Sequence, residues 1–405
     1  MPAAAAPLKI VRIITRLNIG GPAWQAVSLS ERMSRHGWST LLITGRPDPA
    51  EGDMSYLMEG KAVRSLQLPM LRREPDFLGD LRSCWRILRC LLRERPQVLH
   101  THTAKAGAVG RLAGRAYRLI TGADLEIFHT FHGHVLEGYF SQWKTLLFCR
   151  IERWLAGATT CLITVSESLR RDLADLRIAP ASKIRVIYLG LPLEKLLALG
   201  PPEPGPHCRI GMVGRLAPIK NHPMFFEAVR LLQADGKAGG LKFLLYGDGP
   251  LKASLVERAG AMGILPLLEF RGWEQEVLEI YRTLQIVCLT SRNEGTPVSL
   301  IEAMAAGRPV IATAVGGVPD LLGPEQPGAH GGSGFTLCQR GILVRRDDAA
   351  GLAAALSHLA GNPDAARGLA SAARRFAAER FTLDRLTRDM NLLYREFACG
   401  GSGSS

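Results

Sequence analysis

The residues best suited to chemistry lie at 291–309, in the run S-R-N-E-G-T-P-V-S-L-I-E-A-M-A-A-G-R-P. Glu294 precedes a predicted helix and Glu302 lies more than one turn inside it. Two carboxylates, eight positions apart, therefore frame one helix N-terminus. Thr296 can cap this helix, Pro297 suits its first position because it lacks an N–H, and Gly307 ends it. The amides of Val298, Ser299 and Leu300 would then point at an anion, aided by the helix dipole. A carboxylate beside an anion site is out of place unless it accepts hydrogen bonds from hydroxyls, and sugar or ribose hydroxyls meet that need. Glutamate spacing alone recurs by chance, but the apolar strand before this run and the Gly-Arg-Pro after it favour function.

Upstream, G-M-V-G-R-L-A-P-I-K-N-H (211–222) follows another strand and puts Arg215 and Lys220 at its carboxyl end. A guanidinium fork and a point charge together can hold a diphosphate, although either cation alone reads as solvated surface. Arg271-Gly272 can present backbone groups to a nucleobase. Y-G-D-G-P (246–250) is a weak signal and G-G-V-P-D (316–320) a moderate one. In the first half, Gly20 and Gly21 follow a strand and permit close approach of backbone to a phosphate or sugar. The run there is G-G-P-A-W, so the G-x-G-x-x-G dinucleotide fingerprint is absent and a dehydrogenase is disfavoured. H-T-H-T-A-K-A-G (100–107) and H-T-F-H-G-H (129–134) are two histidine-bearing strand ends. Without nearby acidic partners their spacing is poor for zinc. Thr103 and Lys105 are candidate binders of an acceptor phosphate.

These blocks together resemble the retaining family-4 glycosyltransferases of GT-B fold, with matching strand-end motifs from Leu17 to Asp320. The resemblance implies that Glu294 touches donor-sugar hydroxyls and Glu302 holds the ribose. It implies that Arg215 and Lys220 neutralise the leaving diphosphate, that Arg271 sits by the base, and that the Gly20-Gly21 loop meets donor and acceptor. His132 matches the family's active-site histidine, and His134 is a second acceptor-side candidate. No D-x-D triplet occurs, so no metal or other cofactor is expected; the nucleotide-diphosphate sugar is a co-substrate. A UDP-sugar is the expected donor on family frequency. The resemblance implies transfer with retained anomeric configuration, and with no carboxylate nucleophile evident a front-face route is expected. The segment 322–343 departs from the family's short turn, and its glycines suggest a surface loop.

Positioning these groups requires α/β layers. Short β-branched runs at 10–15, 39–43, 98–100, 127–131, 161–165 and 186–188 alternate with helical patterns. A second series follows at 209–213, 243–246, 268–270, 286–289 and 310–312. Two doubly wound Rossmann-like domains facing across a cleft are the expected architecture. Residues 1–198 would form an acceptor-binding domain and 199–207, rich in Pro and Gly, a linker. Residues 208–380 would bind the nucleotide sugar, and 381–399 would form a helix packing back on the first domain. Residues 400–405 read as a flexible tag remnant.

The chain has 405 residues, 47% of them apolar and 21% charged, which excludes disorder as its main state. Its net charge of +13 is concentrated in residues 1–200, which carry +11. Such a balance implies an anionic partner in that half. No run is long enough to span a membrane, no signal peptide is evident, and the eight cysteines form no C-x-x-C pair. Between residues 71 and 95, Leu81, Cys84, Trp85, Leu88, Leu91 and Leu92 form an apolar face expected to cover the sheet. Arg82, Arg86, Arg89 and Arg93 lie opposite, free to meet anionic lipid. The expectation is a cytoplasmic, peripheral enzyme acting on a lipid-linked or polysaccharide acceptor, with no nucleic-acid partner. A soluble small acceptor and a catalytically silent nucleotide-sugar-binding module are the alternatives.

Overall fold

A computed structural model describes residues 7–18, 20–46, 53–74, 76–133, 142–202, 205–327 and 334–398. The chain divides into two compact units, Met1–Leu191 with Leu383–Ser405, and Pro192–Thr382. The division falls upstream of the Pro-rich segment. Leu199 and Gly200 are tied into the second unit, their carbonyls accepting from Arg374 and Arg308 at 3.1 and 3.2 Å.

The first unit holds seven parallel strands: β1 (Leu8–Ile14), β2 (Trp38–Thr44), β3 (Arg64–Gln67), β4 (Val98–His102), β5 (Glu126–Phe131), β6 (Cys161–Thr164) and β7 (Ile184–Val186). Their spatial order is β3-β2-β1-β4-β5-β6-β7. Helices cover both faces, so the central strands are buried on both sides, as parallel sheets require. β3 has no such signature because it is an exposed edge strand. The helix Leu383–Ala398 belongs to this unit. Its Leu386, Met390, Leu393 and Tyr394 pack on Ile10, Trp38 and Phe128, and Arg385 donates to the carbonyls of Tyr188 and Leu189, both at 2.7 Å.

The helix Phe77–Glu94 departs from expectation. The residues it buries are Gly79, Ser83, Ile87 and Leu91, a narrow stripe at four-residue spacing. Leu81, Trp85 and Leu92 of the expected covering face are exposed instead. This helix packs along the next one, Ala104–Thr121.

The second unit holds β8 (Cys208–Val213), β9 (Leu241–Tyr246), β10 (Leu268–Gly272), β11 (Ile286–Leu289), β12 (Val310–Thr313), β13 (Phe335–Cys338) and β14 (Gly341–Val344). The order is β10-β9-β8-β11-β12-β14-β13, all parallel except the β13–β14 hairpin. That hairpin corrects the reading of 322–343 as a surface loop. Ile342 pairs with Ile311 of β12 and is fully buried in the main core with Val344. The glycines and polar residues around it hid a strand only four residues long. Replacing Ile342 with Ala should therefore cost about 2–4 kcal/mol, against about 0.5 for a loop site. A fall in melting temperature of several degrees checks this; an unchanged midpoint would restore the loop reading.

Candidate active site

In the second unit, successive strands run outward from β8 through β9 and β10, then from β11 the opposite way through β12. Loops leaving the carboxyl ends of β8 and β11 diverge and open the crevice where such sheets take ligands. After β8 the chain makes a 3-10 turn, Pro218–Lys220, and the Lys220 carbonyl accepts from Thr290 Oγ1, at the end of β11, at 2.8 Å. The Arg292 amide donates to the Ile219 carbonyl at 2.9 Å. With the loops joined in this way, Lys220 Nζ donates to Glu294 Oε1 at 2.6 Å, and Ser291 Oγ donates to the same oxygen at 2.6 Å. The pair is largely buried, with side chains 20% and 13% exposed. Lys220 keeps two further N–H donors for an anion, and Glu294 Oε2 remains to accept from a hydroxyl.

The loop after β12 holds Glu294 from behind. Gly316 lies at φ +51°, and a Cβ there would stand 1.8 Å from the Glu294 carbonyl oxygen, so no side chain fits. Gly317 N–H donates to the Gly295 carbonyl at 3.0 Å. The G-G-V-P-D segment therefore shapes the carboxylate's loop.

The helix carrying Glu302 is Val298–Ala305, and Gly307 has the expected left-handed φ of 67°. Pro297 stands at the cap rather than inside the first turn, and no side chain caps the helix. The difference has a consequence: Leu300 N–H donates to the Pro297 carbonyl at 3.2 Å, which leaves the amides of Val298 and Ser299 as the anion donors of the three expected. Glu302 is hydrogen-bonded by Tyr281 Oη at 3.0 Å. Burial raises its pKa to about 7, with the Tyr281 hydroxyl opposing the rise. Arg215 is exposed just past β8 and has no carboxylate partner among the described residues. Arg271 sits on the edge strand β10, paired with Glu269 at 2.7 Å.

The first unit has its own reversal of strand order, between β1 and β4. Gly20 and Gly21 open the helix Gly21–Arg32 after β1, with Gly20 at its cap. Arg12, His100, His102 and Thr130 share one sheet face, because alternate residues of neighbouring strands in register do so. His102 Nδ1 lies 2.9 Å from His132 Nε2. Burial lowers the pKa of His132 to about 3 and those of His100 and His102 well below the ordinary value, so all three are neutral. Thr103 follows at φ 67° and ψ 154°, a region nearly restricted to glycine. This strained residue ends β4 beside the histidines. Its hydroxyl is taken up by Thr15 Oγ1 at 2.6 Å. Lys105 Nζ is paired with Asp80 at 2.7 Å. The expected acceptor-phosphate site at Thr103 and Lys105 is thus not a free cation beside a free hydroxyl. His134 lies outside the described residues.

Residues 207–362 match the model for "Glycosyl transferases group 1", and residues 20–190 that for "Glycosyl transferase 4-like domain". The chain belongs to the family-4-like glycosyltransferases of GT-B fold. It is accordingly a sugar-transferring enzyme that draws on a nucleotide sugar. Among its relatives is the UDP-Gal:alpha-D-GlcNAc-diphosphoundecaprenol alpha-1,3-galactosyltransferase of Escherichia coli, 28% identical over 66% of this chain and 70% of that one. Another is the 2-deoxystreptamine N-acetyl-D-glucosaminyltransferase of Streptomyces fradiae, 26% identical over 95% and 94%. The fold is shared with Anabaena HepE, solved in complex with UDP, at a TM-score of 0.76 and 18% identity over 95% and 99%.

Within this glycosyltransferase, Lys220, Glu294, Val298, Ser299 and Glu302 gather around the β8–β11 crevice, with Arg215 at its rim. Arg271 stands apart on the edge strand. Thr290 and Tyr281 join the site without any motif to announce them, and Ser291 opens the 291–309 run without having been given a role; each is a hydroxyl at a strand or helix end. Arg12 is the other unannounced residue, and an arginine inside the apolar strand L-K-I-V-R-I-I is a signal in itself.

Lys220→Ala and Glu294→Ala should each lower kcat by about 10²–10³. The double variant should lose little more than either single one, since each residue holds the other. Steady-state rates of all three check this; additive losses would separate the pair. Glu302 supplies a pH test with a definite sign. If it holds substrate hydroxyls, it does so as a pure acceptor above pH 7; protonation below removes its charge and turns one oxygen into a donor, which weakens that hold. Nucleoside diphosphate affinity should therefore fall by up to about tenfold per pH unit below 7 relative to Glu302→Gln. Calorimetry on both proteins removes the nucleotide's own titration from the comparison.

Proposed function

We propose that this glycosyltransferase moves a hexose or N-acetylhexosamine from a UDP-sugar to a lipid-linked or polysaccharide acceptor, with retained anomeric configuration and without a metal ion. The observation that carries the donor half of this reading is the Lys220–Glu294 pair at the β8–β11 crevice, a cation for the diphosphate held against a carboxylate for sugar hydroxyls. Arg215 and the Val298 and Ser299 amides add positive character where the leaving phosphate would gather charge, the role a cation plays elsewhere.

Given retention, the way the carboxylates are held favours a front-face route over a covalent intermediate. Glu294 is held by Lys220 and Ser291, and Glu302 by Tyr281, so neither is poised as a nucleophile. In a front-face transfer the bond from the anomeric carbon to phosphate oxygen breaks as the bond to the acceptor oxygen forms on the same side. The acceptor's proton passes to the departing diphosphate. The Escherichia coli relative's named diphosphoundecaprenol substrate supports a lipid-linked acceptor, and the Streptomyces fradiae relative's named 2-deoxystreptamine favours a soluble one as the second reading.

The membrane reading rests on the first unit's surface. Among the described residues no helix is long and apolar enough to cross a membrane. Three helices, Phe77–Glu94, Ala104–Thr121 and Gln142–Ala158, pack in series and expose large apolar side chains. Phe77 is 83% exposed and Trp85 54%, with Leu119, Trp143 and Leu146 beside them in this series. Arg82, Arg86, Arg89 and Arg93 are exposed on the first helix, and Arg89 stacks 4.8 Å from the Trp85 ring. Aromatic groups with arginines among them suit an anionic headgroup layer better than arginines alone.

Incubation with a panel of UDP-, GDP- and ADP-sugars in EDTA should release nucleoside diphosphate from the UDP-sugar, and NMR of the product should show the donor's anomeric configuration. Loss of turnover in EDTA, restored by Mg2+ or Mn2+, would remove the metal-independent route, and an inverted product the front-face one. With anionic phosphatidylglycerol vesicles the protein should sediment at low salt. Arg82→Gln/Arg86→Gln should reduce that fraction, and Leu81→Glu/Trp85→Glu should reduce it even where salt does not. A protein that stays in the supernatant throughout supports the soluble acceptor.

A further inference from the structure

The first unit buries a guanidinium that the donor chemistry does not use. Arg12 has no exposed surface, and no carboxylate lies within ion-pair distance among the described residues. Its Nη1 faces His100 Nδ1 at 2.8 Å and His102 Nε2 at 3.2 Å, while its Nε and Nη2 have no partner. His102 Nδ1 in turn faces His132 Nε2 at 2.9 Å, the two rings tilted by 31° at a centroid spacing of 5.2 Å. Tyr394, from the helix Leu383–Ala398, closes the other side with its hydroxyl 2.6 Å from His100 Nδ1, and Thr130 Oγ1 of β5 meets His100 Nε2 at 2.7 Å.

An arginine keeps its proton and can only donate, which gives this chain of contacts a direction. His102 must accept at Nε2, so its single proton sits on Nδ1 and is donated to His132. His132 then accepts at Nε2 and carries its own proton on Nδ1. Among the described residues Nδ1 has no partner. We propose that Arg12 and His102 are positioning residues that lock His132 in the Nδ1–H tautomer, so that it serves the substrate as a neutral hydrogen-bond donor rather than as a base. The lone pair a base would need is occupied by His102. Burial keeps the imidazoles from taking a second proton, helped at His100 and His102 by the Arg12 charge, so the donor state persists at neutral pH. The proposal rests on His132 belonging to the active site, and it agrees with a front-face transfer in which the leaving diphosphate, not the protein, takes the acceptor's proton.

Histidine-selective 15N NMR on the full chain tests this directly, with His132 assigned by the loss of its signals in His132→Gln. In the wild type, His132 Nδ1 should give a protonated-type signal and Nε2 an unprotonated one. A proton on Nε2, or on both nitrogens, would overturn the relay. His102→Asn places an amide N–H where the imidazole carries Nδ1–H, so it should keep the tautomer and most of the turnover. His102→Leu and Arg12→Met should let His132 drift to a mixture of tautomers and lower kcat about 10- to 100-fold, with the donor KM little changed. Should Arg12→Met fail to fold, the wild-type spectrum and the Asn/Leu contrast at position 102 still decide the matter. Wild-type turnover in His132→Gln would instead remove His132 from the active site, whatever its tautomer.

Discussion

Two residues 74 positions apart meet at 2.6 Å, and the second unit is arranged around that meeting. Lys220 and Glu294 can approach because β8 and β11 are neighbours and their following loops are hydrogen-bonded to each other. Parallel pairing sends both loops from the same edge of the sheet. The β8 loop is held by Thr290 through the Lys220 carbonyl, and the β11 loop by the Gly316-Gly317 backbone. Each charge thus has its partner before any substrate arrives. On the proposed reading the arrangement is preorganised: a ligand phosphate would meet a lysine already aimed, and a sugar hydroxyl a carboxylate whose second oxygen is still open. Little reorganisation remains for the moment of reaction.

The first unit solves a different problem at the corresponding place in its own sheet. There the polar groups are a buried cation and neutral imidazoles. Moving a charge out of water is costly unless it is hydrogen-bonded, and Arg12 obtains its bonds from histidine lone pairs. That solution constrains the histidines, since any that took up a proton would face the guanidinium without a lone pair to offer. The C-terminal helix matters here because it delivers the Tyr394 hydroxyl to the same cluster. The 383–398 segment is thereby part of the chemistry of the first unit as well as of its packing.

How much of this was legible in the sequence depended on whether a residue's role is local. Strands buried on both faces announce themselves as continuous β-branched runs, so β1, β2, β4, β5, β6 and β8 to β12 were all expected. β3 was not, because an edge strand with four exposed residues has no apolar period to show. β13 and β14 were missed since a four-residue hairpin strand beside glycines looks like a loop. The E-x7-E block and the Arg215–Lys220 pair could be located because strand, loop and helix start lie close together in the chain. Pro297 moved by one position because cap and first turn are indistinguishable without dihedrals. The pairing of Lys105 was not legible for a different reason: its partner Asp80 sits on another helix, and ion pairing between elements leaves no trace in spacing.

The same limit explains the helix Phe77–Glu94. Its sequence shows an apolar face and a basic face, and the simplest assumption gives the first to the sheet and the second to water. The helix buries only one four-residue stripe, which contains Gly79 and Ser83, and its close neighbour is the helix Ala104–Thr121. A small-residue stripe lets a helix lie close to the layer beneath it and turns its larger side chains outward. Phe77, Leu81 and Trp85 thus share a surface with arginines rather than opposing it. Exposed aromatic surface of this kind invites association in water, and a net charge of +11 over residues 1–200 opposes it by mutual repulsion. At an anionic surface the repulsion becomes attraction, and the apolar groups gain a medium to enter. On the proposed membrane reading, the charge imbalance and the exposed aromatic residues share one physical explanation.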